Sequence, residues 1–186
     1  MITIQEFINK NNVPREVLHW AKQVGKSSNM DELWSAPALP HFWRILIATQ
    51  DCVLPKEVLE RFAVFCAHQV ADKTKDKRCK SALAVADKYL VDGSLTKDVA
   101  KAQDDAFYAK IKADHPYAYP ARAVWCALSA IVHGDMAETF AFMASDAALF
   151  SASDPVERTR FLAEQSAWLF NNSQPNWEAN INAKNN

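Results

Sequence analysis

The stretch RFAVFCAHQVADKTKDKRCKSALAVADKYLVDG, residues 61–93, holds the densest set of groups able to do chemistry. Cys66, His68 and Cys79 are potential metal ligands. His68 and Asp72, four apart, fit one helix face as an acid–base pair. Lys73, Lys75, Lys77, Arg78 and Lys80 form a basic run able to meet phosphate. Each reading can be weighed against a plainer one. Zinc sites need ligands at short spacing that converge on one ion. Cys66 and His68, two apart, diverge on a helix, and the chain contains no CxxC or HExxH. Cys66 instead falls on the apolar stripe Val58, Phe62, Phe65, Cys66, Val70, where a thiol packs as a small hydrophobe. No metal or cofactor is expected.

Catalysis finds little more support. Serine never stands in a nucleophile-elbow context, no carboxylate pair stands out as acid and base, and no glycine-rich phosphate loop occurs. The histidines His19, His41, His68, His115 and His133 are scattered. The chain is therefore expected not to be an enzyme. The basic run supports an alternative, a nucleic-acid-binding module using Lys73, Lys75, Lys77, Arg78 and Lys80. Against it, no aromatic residue is interleaved for base stacking, Asp72 and Asp76 dilute the field, and the net charge is -1. A solvated turn, its cations suited to the preceding helix's C-terminus, is the simpler reading.

Two other segments suggest a surface for a partner. In ADHPYAYPAR, Pro116 and Pro120 restrict a loop bearing Tyr117 and Tyr119, and tyrosine offers contact area at modest entropic cost. Upstream, Asp104, Asp105 and Tyr108 lie on the helix ending near Lys112. Together these residues form the expected binding face, suited to a basic partner; tyrosines capping the core at a turn are the competing reading. In DELWSAPALPHFWR, Trp34, Phe42 and Trp43 flank a Pro37–Pro40 connector and are expected to fix a buried helix corner.

The elements that must position these residues are helices. Apolar residues recur at helical spacing, and period-two strand patterning is missing. Helices are predicted at 3–10, 14–24, 41–52, 55–71, 79–92, 96–112, 120–133, 135–150 and 155–170. Thr3 to Glu6, Asp135 to Glu138 and Asp154 to Glu157 have capping-box spacing, with Pro155 at a first helical position. Gly25, Gly93 and Gly134 each follow a periodic segment and are read as left-handed helix stops. The expected fold is all-α: a single domain, residues 1–170, of about eight or nine short-to-medium amphipathic helices in an antiparallel, stacked-pair arrangement. Alanine-rich stripes permit close approach, and no clean repeat period is found. Residues 171–186, rich in asparagine, read as a polar, flexible tail.

At 186 residues with 49% hydrophobic and 23% charged composition, the chain can bury a full core. The N-terminus shows no basic and apolar leader pattern, the longest apolar runs such as WCALSAIV are too short to span a bilayer, and the four cysteines lack a disulfide framework. A cytoplasmic protein without membrane contact is expected.

The middle of the chain carries a resemblance. The order RFAVFCAHQV, DKRCKSALAVADKYLVDG and DVAKAQDDAFYA, followed by PARAVWCALSAIVHGDMAETFAFMASDAA and RFLAEQSAWLFNN, resembles alanine-rich bacterial helical proteins. That group includes immunity proteins of polymorphic toxin systems. The match runs from Pro55 to Asn171 through Asp76, Arg78, Ala82, Ala86, Tyr89 and Gly93; the chain departs from the pattern in having less alanine and arginine and more lysine and phenylalanine. The resemblance implies an all-helical fold and a binding rather than catalytic role, with an immunity-like protein occluding a toxin or effector as its concrete form. A phage or mobile-element accessory protein that binds a host factor is the alternative. No site residue follows from the resemblance.

Overall fold

The computed structural model describes residues 1–94 and 97–184, and among these the fold is all-helical, with eleven α-helices rather than eight or nine. They are α1 (Ile4–Lys10), α2 (Glu16–Trp20, continued by a π turn over Ala21–Gly25), α3 (Met30–Ser35), α4 (His41–Ala48), α5 (Lys56–His68), α6 (Lys77–Asp92), α7 (Lys97–Lys112), α8 (Ala118–Val132), α9 (Ala137–Phe150), α10 (Pro155–Asn172) and α11 (Trp177–Ala183). The two unexpected helices, α3 and α11, have fewer than two turns each, too short to print a periodicity. Asparagines start both: Asn29 accepts from the Glu32 N–H, and Asn176 from that of Ala179. Helix α11 corrects the expectation of a flexible tail from residue 171. Asn185 and Asn186 of that tail, like Thr96 at the expected head of the 96–112 helix, lie outside the described residues. No described helix is long and apolar enough to cross a membrane.

The described chain groups into two compact units, Met1–Pro55 with Ser166–Asn186, and Lys56–Gln165. In the second, α8 is the central element. Its Ala121, Ala123, Val124 and every residue from Cys126 to Ile131 are buried, and α5, α6, α7 and α9 all pack on it. Successive helices also pack against one another, in line with stacked pairs. Alanine makes this possible: α7 buries Val99, Ala102, Ala106 and Ala109 on one stripe, so its backbone lies close to its neighbours.

Only one of the three glycines acts as expected. Gly93 sits at φ 70°, and its N–H closes α6 on the Tyr89 carbonyl at 2.7 Å. After α2 the left-handed position is Lys26, at φ 49°. Gly25 is required for space instead, because a Cβ there would meet the Trp20 ring at 2.6 Å. Gly134 likewise makes room for the Lys56 side chain. The cap at Asp135 is also absent, since Asp135 lies in a 3₁₀ turn and α9 starts after Met136.

The caps at Thr3 and Asp154 do form. Beside the latter, Glu157 accepts from Lys73 Nζ at 2.5 Å and from the Ser153 N–H and hydroxyl at 2.6 and 2.9 Å. The Lys73 hydrogen bond, followed by that of the Ser153 backbone, holds the Glu157 carboxyl down at about 2. A depressed carboxyl stabilises the fold once ionised. Its contribution is complete above the ordinary value of 4.5 and is lost as pH falls through about 2. Urea midpoints at pH 7 and pH 3 should therefore differ less in Glu157→Gln than in the natural protein.

The first unit closes on α11. Trp177 is buried, edge-on to Phe7 and Trp34 at ring-centroid distances of 5.6 and 6.0 Å. Its indole N–H donates to Asp31 Oδ1 at 2.9 Å. Buried Asn180 exchanges two hydrogen bonds with Asn11, at 2.8 and 3.0 Å. In the expected aromatic corner only Trp34 is buried; Trp43 is half-buried against Trp20, and Phe42 is exposed.

Candidate functional site

The groups that suggested chemistry in the sequence are dispersed by the fold. Cys66 is fully buried in α5, and burial pushes its thiol well up. His68 is exposed, with Nε2 2.9 Å from Asp87 Oδ1, whereas Asp72 pairs with Lys80 at 3.0 Å. The anticipated His68–Asp72 couple is thus split between two other partners. Helical spacing allowed it, but α6 brings closer charges to both residues.

The basic run is largely neutralised from within. Lys73 is committed to Glu157, Lys80 to Asp72, and Arg78 to the N-capping carboxylate of Asp76, with Nη2 2.6 Å from Oδ2. The Arg78 side-chain hydrogen bonds hold the Asp76 carboxyl below its usual range. Lys75 Nζ stands 3.9 Å from the centre of the Tyr117 ring, and Lys77 is exposed. Lys73, Arg78 and Lys80 would have to leave or share these carboxylates to meet a phosphate.

Tertiary structure joins the tyrosine loop to this turn. Thr74, Lys75, Asp76, Lys112, Asp114 and Tyr117 line a common hollow of about 270 Å³. Tyr117 covers Lys75. Tyr119 is half-buried, stacked on Phe150 at 5.3 Å and edge-on to His115 at 5.4 Å. Of the two loop tyrosines, only Tyr117 is open enough to offer much surface.

The larger open surface is on α7. Phe107, Tyr108 and Ile111 are 39%, 51% and 56% exposed, and Asp104 is exposed beside them. These positions fall on one helical face, opposite the buried stripe Val99, Ala102, Ala106, Ala109. Phe107 is braced edge-on by Tyr108 at 6.1 Å and tilted against Trp125 at 6.0 Å, while Lys110 Nζ sits 3.7 Å from the Trp125 ring centre. Asp105, half-buried, turns to the other side, into a hollow of about 340 Å³ shared with Lys88, Tyr89, Asp98 and Lys101. Phe107 and Ile111 were missing from the sequence-based face. The signal was present: α7 has two stripes, one of small residues fit for close packing and one of large residues on the opposite side.

Behind that second hollow lies a buried carboxylate. Glu60 is 2% exposed; Tyr89 Oη donates to its Oε2 at 3.4 Å, and Lys56 Nζ approaches Oε1 at 3.4 Å without hydrogen-bond geometry. Burial raises its pKa, with Lys56 opposing. A raised carboxyl stabilises most while protonated, below 4.5, and that stability is lost as pH rises through the raised value. Glu60→Gln should accordingly flatten the stability profile above pH 4.5 and gain about 1 kcal/mol at pH 7.5, measured by urea denaturation, because an amide avoids burying charge. Comparison with known proteins found no matching family model, no matching curated protein and no matching solved structure.

Proposed function

We propose that this protein works by binding another protein through the outer face of α7, and that the partner is a toxin or effector whose working surface it covers. The observation that carries the binding reading is the aromatic and aliphatic patch of Phe107, Tyr108 and Ile111, presented by a helix anchored through its opposite stripe. Large side chains held at a rigid surface lose little entropy on association and dominate interface energetics. Asp104 at one edge and Lys112 at the other suit a partner that sets a cation and an anion on opposite sides of an apolar centre. The toxin or effector identity draws on the likeness of the Pro55–Asn171 region to immunity proteins.

The test is affinity capture of the tagged chain from its native host, with Tyr108→Ala/Ile111→Ala alongside. A stoichiometric partner weakened at least tenfold by the double variant is expected, about 1.4 kcal/mol or more. Co-expression should relieve growth inhibition caused by that partner. A partner held equally by the variant, or no stoichiometric partner, overturns the reading. A captured host factor without toxicity would point to an accessory protein of a phage or mobile element.

A further inference from the structure

The exposed face of α7 orders its charges so that it complements a copy of itself. Asp104, Tyr108 and Lys112 share one i±4 ridge, flanked by Phe107 and Ile111 on the next. Tyr108 is the midpoint: Asp104 lies four residues before it and Lys112 four after, each about 6 Å along the axis. Both are exposed, and among the described residues neither has an opposite charge within 4 Å; Lys112 borders the hollow it shares with Asp76, whose carboxyl feels its charge without a close ion pair. Reversing such a helix exchanges its acidic and basic ends while leaving the apolar centre in place.

We propose that two copies of the chain associate through this face, with their α7 helices antiparallel about a two-fold axis at Tyr108. Ridges of the same i±4 class lie alongside one another when two helices interdigitate, and each Asp104 then meets Lys112 of the second copy. Two-fold symmetry makes the contact twice, and Tyr108, Phe107 and Ile111 lose water between the paired charges. One helix face is a small interface, so the dimer exchanges readily. The inference uses the same face as the proposed function but does not depend on the partner's identity. Self-association and capture then compete, the dimer shielding the apolar patch until a tighter ligand arrives.

Sedimentation velocity of the purified full chain over a concentration series at low salt tests this. A monomer–dimer equilibrium that weakens with added salt is expected. Asp104→Lys and Lys112→Asp should each raise the dissociation constant about tenfold or more, and the double exchange should restore it to within about threefold. Circular dichroism on all variants checks that each remains folded. A monomer throughout the series overturns the proposal, as do single reversals without effect or a double exchange that fails to rescue. Partner capture without a dimer would sink this inference alone; a rescued dimer without a partner would sink only the functional reading.

Discussion

Replacing Trp177 with alanine should destabilise the protein by about 3–5 kcal/mol, the range for removing a large buried aromatic. The indole fills space beside Phe7 and Trp34 that alanine leaves empty, and its loss strips Asp31 Oδ1 of an indole donor. The size of the effect comes from position in the sequence. Helix α11 has seven residues, too few for a stable isolated helix, so docking supplies nearly all of its order. Besides Trp177, that docking relies on Asn180, whose Nδ2 reaches Asn11 and the Asp51 carbonyl, and on the Asn176 N–H, which donates to the Val53 carbonyl at 2.8 Å. Urea denaturation of Trp177→Ala and of a chain ending at Ser173 should show comparable losses. A cost below about 1 kcal/mol in the point variant would mean that α11 does not hold this packing in solution.

Arg44→Ala should cost about 3–4 kcal/mol, because it removes the side-chain donor to the Trp34 carbonyl and one of two donors to the Ala36 carbonyl, which keeps the Leu39 N–H, and empties a buried site packed against two rings. Arg44 is 6% exposed; Nη2 donates to the Trp34 and Ala36 carbonyls at 3.1 and 3.0 Å, and Nη1 to the Ser166 hydroxyl at 3.1 Å. The guanidinium also lies over the Trp34 and Phe170 rings, at 5.6 and 5.0 Å. Burial lowers its pKa, but an arginine stays charged at any pH where the protein folds. In place of a carboxylate it has the negative C-terminal end of α3, which favours a cation. Arg44→Lys should recover less than half of the loss, since a compact ammonium cannot span three acceptors and stack on two rings. Equal stability of the lysine variant and the natural protein would refute this account of the planar fork.

The helices of the second unit were legible because they are long and amphipathic. Their apolar stripes survive averaging over several turns, and α5 through α10 lie close to where periodicity put them. Short elements were not legible. In α3 and α11 a single asparagine cap competes with a background of similar polar residues, and NNSQPNWEANINAKNN reads as solvent-facing until Trp177 and Ile181 are seen buried. Glycine showed the same boundary in part: Gly93 follows from its helix alone, the tight fit at Gly25 depends on how the Trp20 ring folds over its own turn, and at Gly134 the neighbour is the flexible end of Lys56, from a distant part of the chain.

The candidate site divides in the same way. By itself the sequence determined an all-helical fold and the presence of Asp104, Tyr108, Tyr117 and a basic turn, since each follows from composition and from spacing within one helix or loop. Only tertiary structure decided which charges remain open. It spent Lys73 on Glu157, 84 residues away, tucked Tyr119 against Phe150, and left Phe107, Tyr108 and Ile111 outward, whereas the Arg78–Asp76 and Lys80–Asp72 pairs form locally around the start of α6. The physical reason is that charge pairing and burial are set by distances between helices, and those distances depend on how the alanine stripes pack.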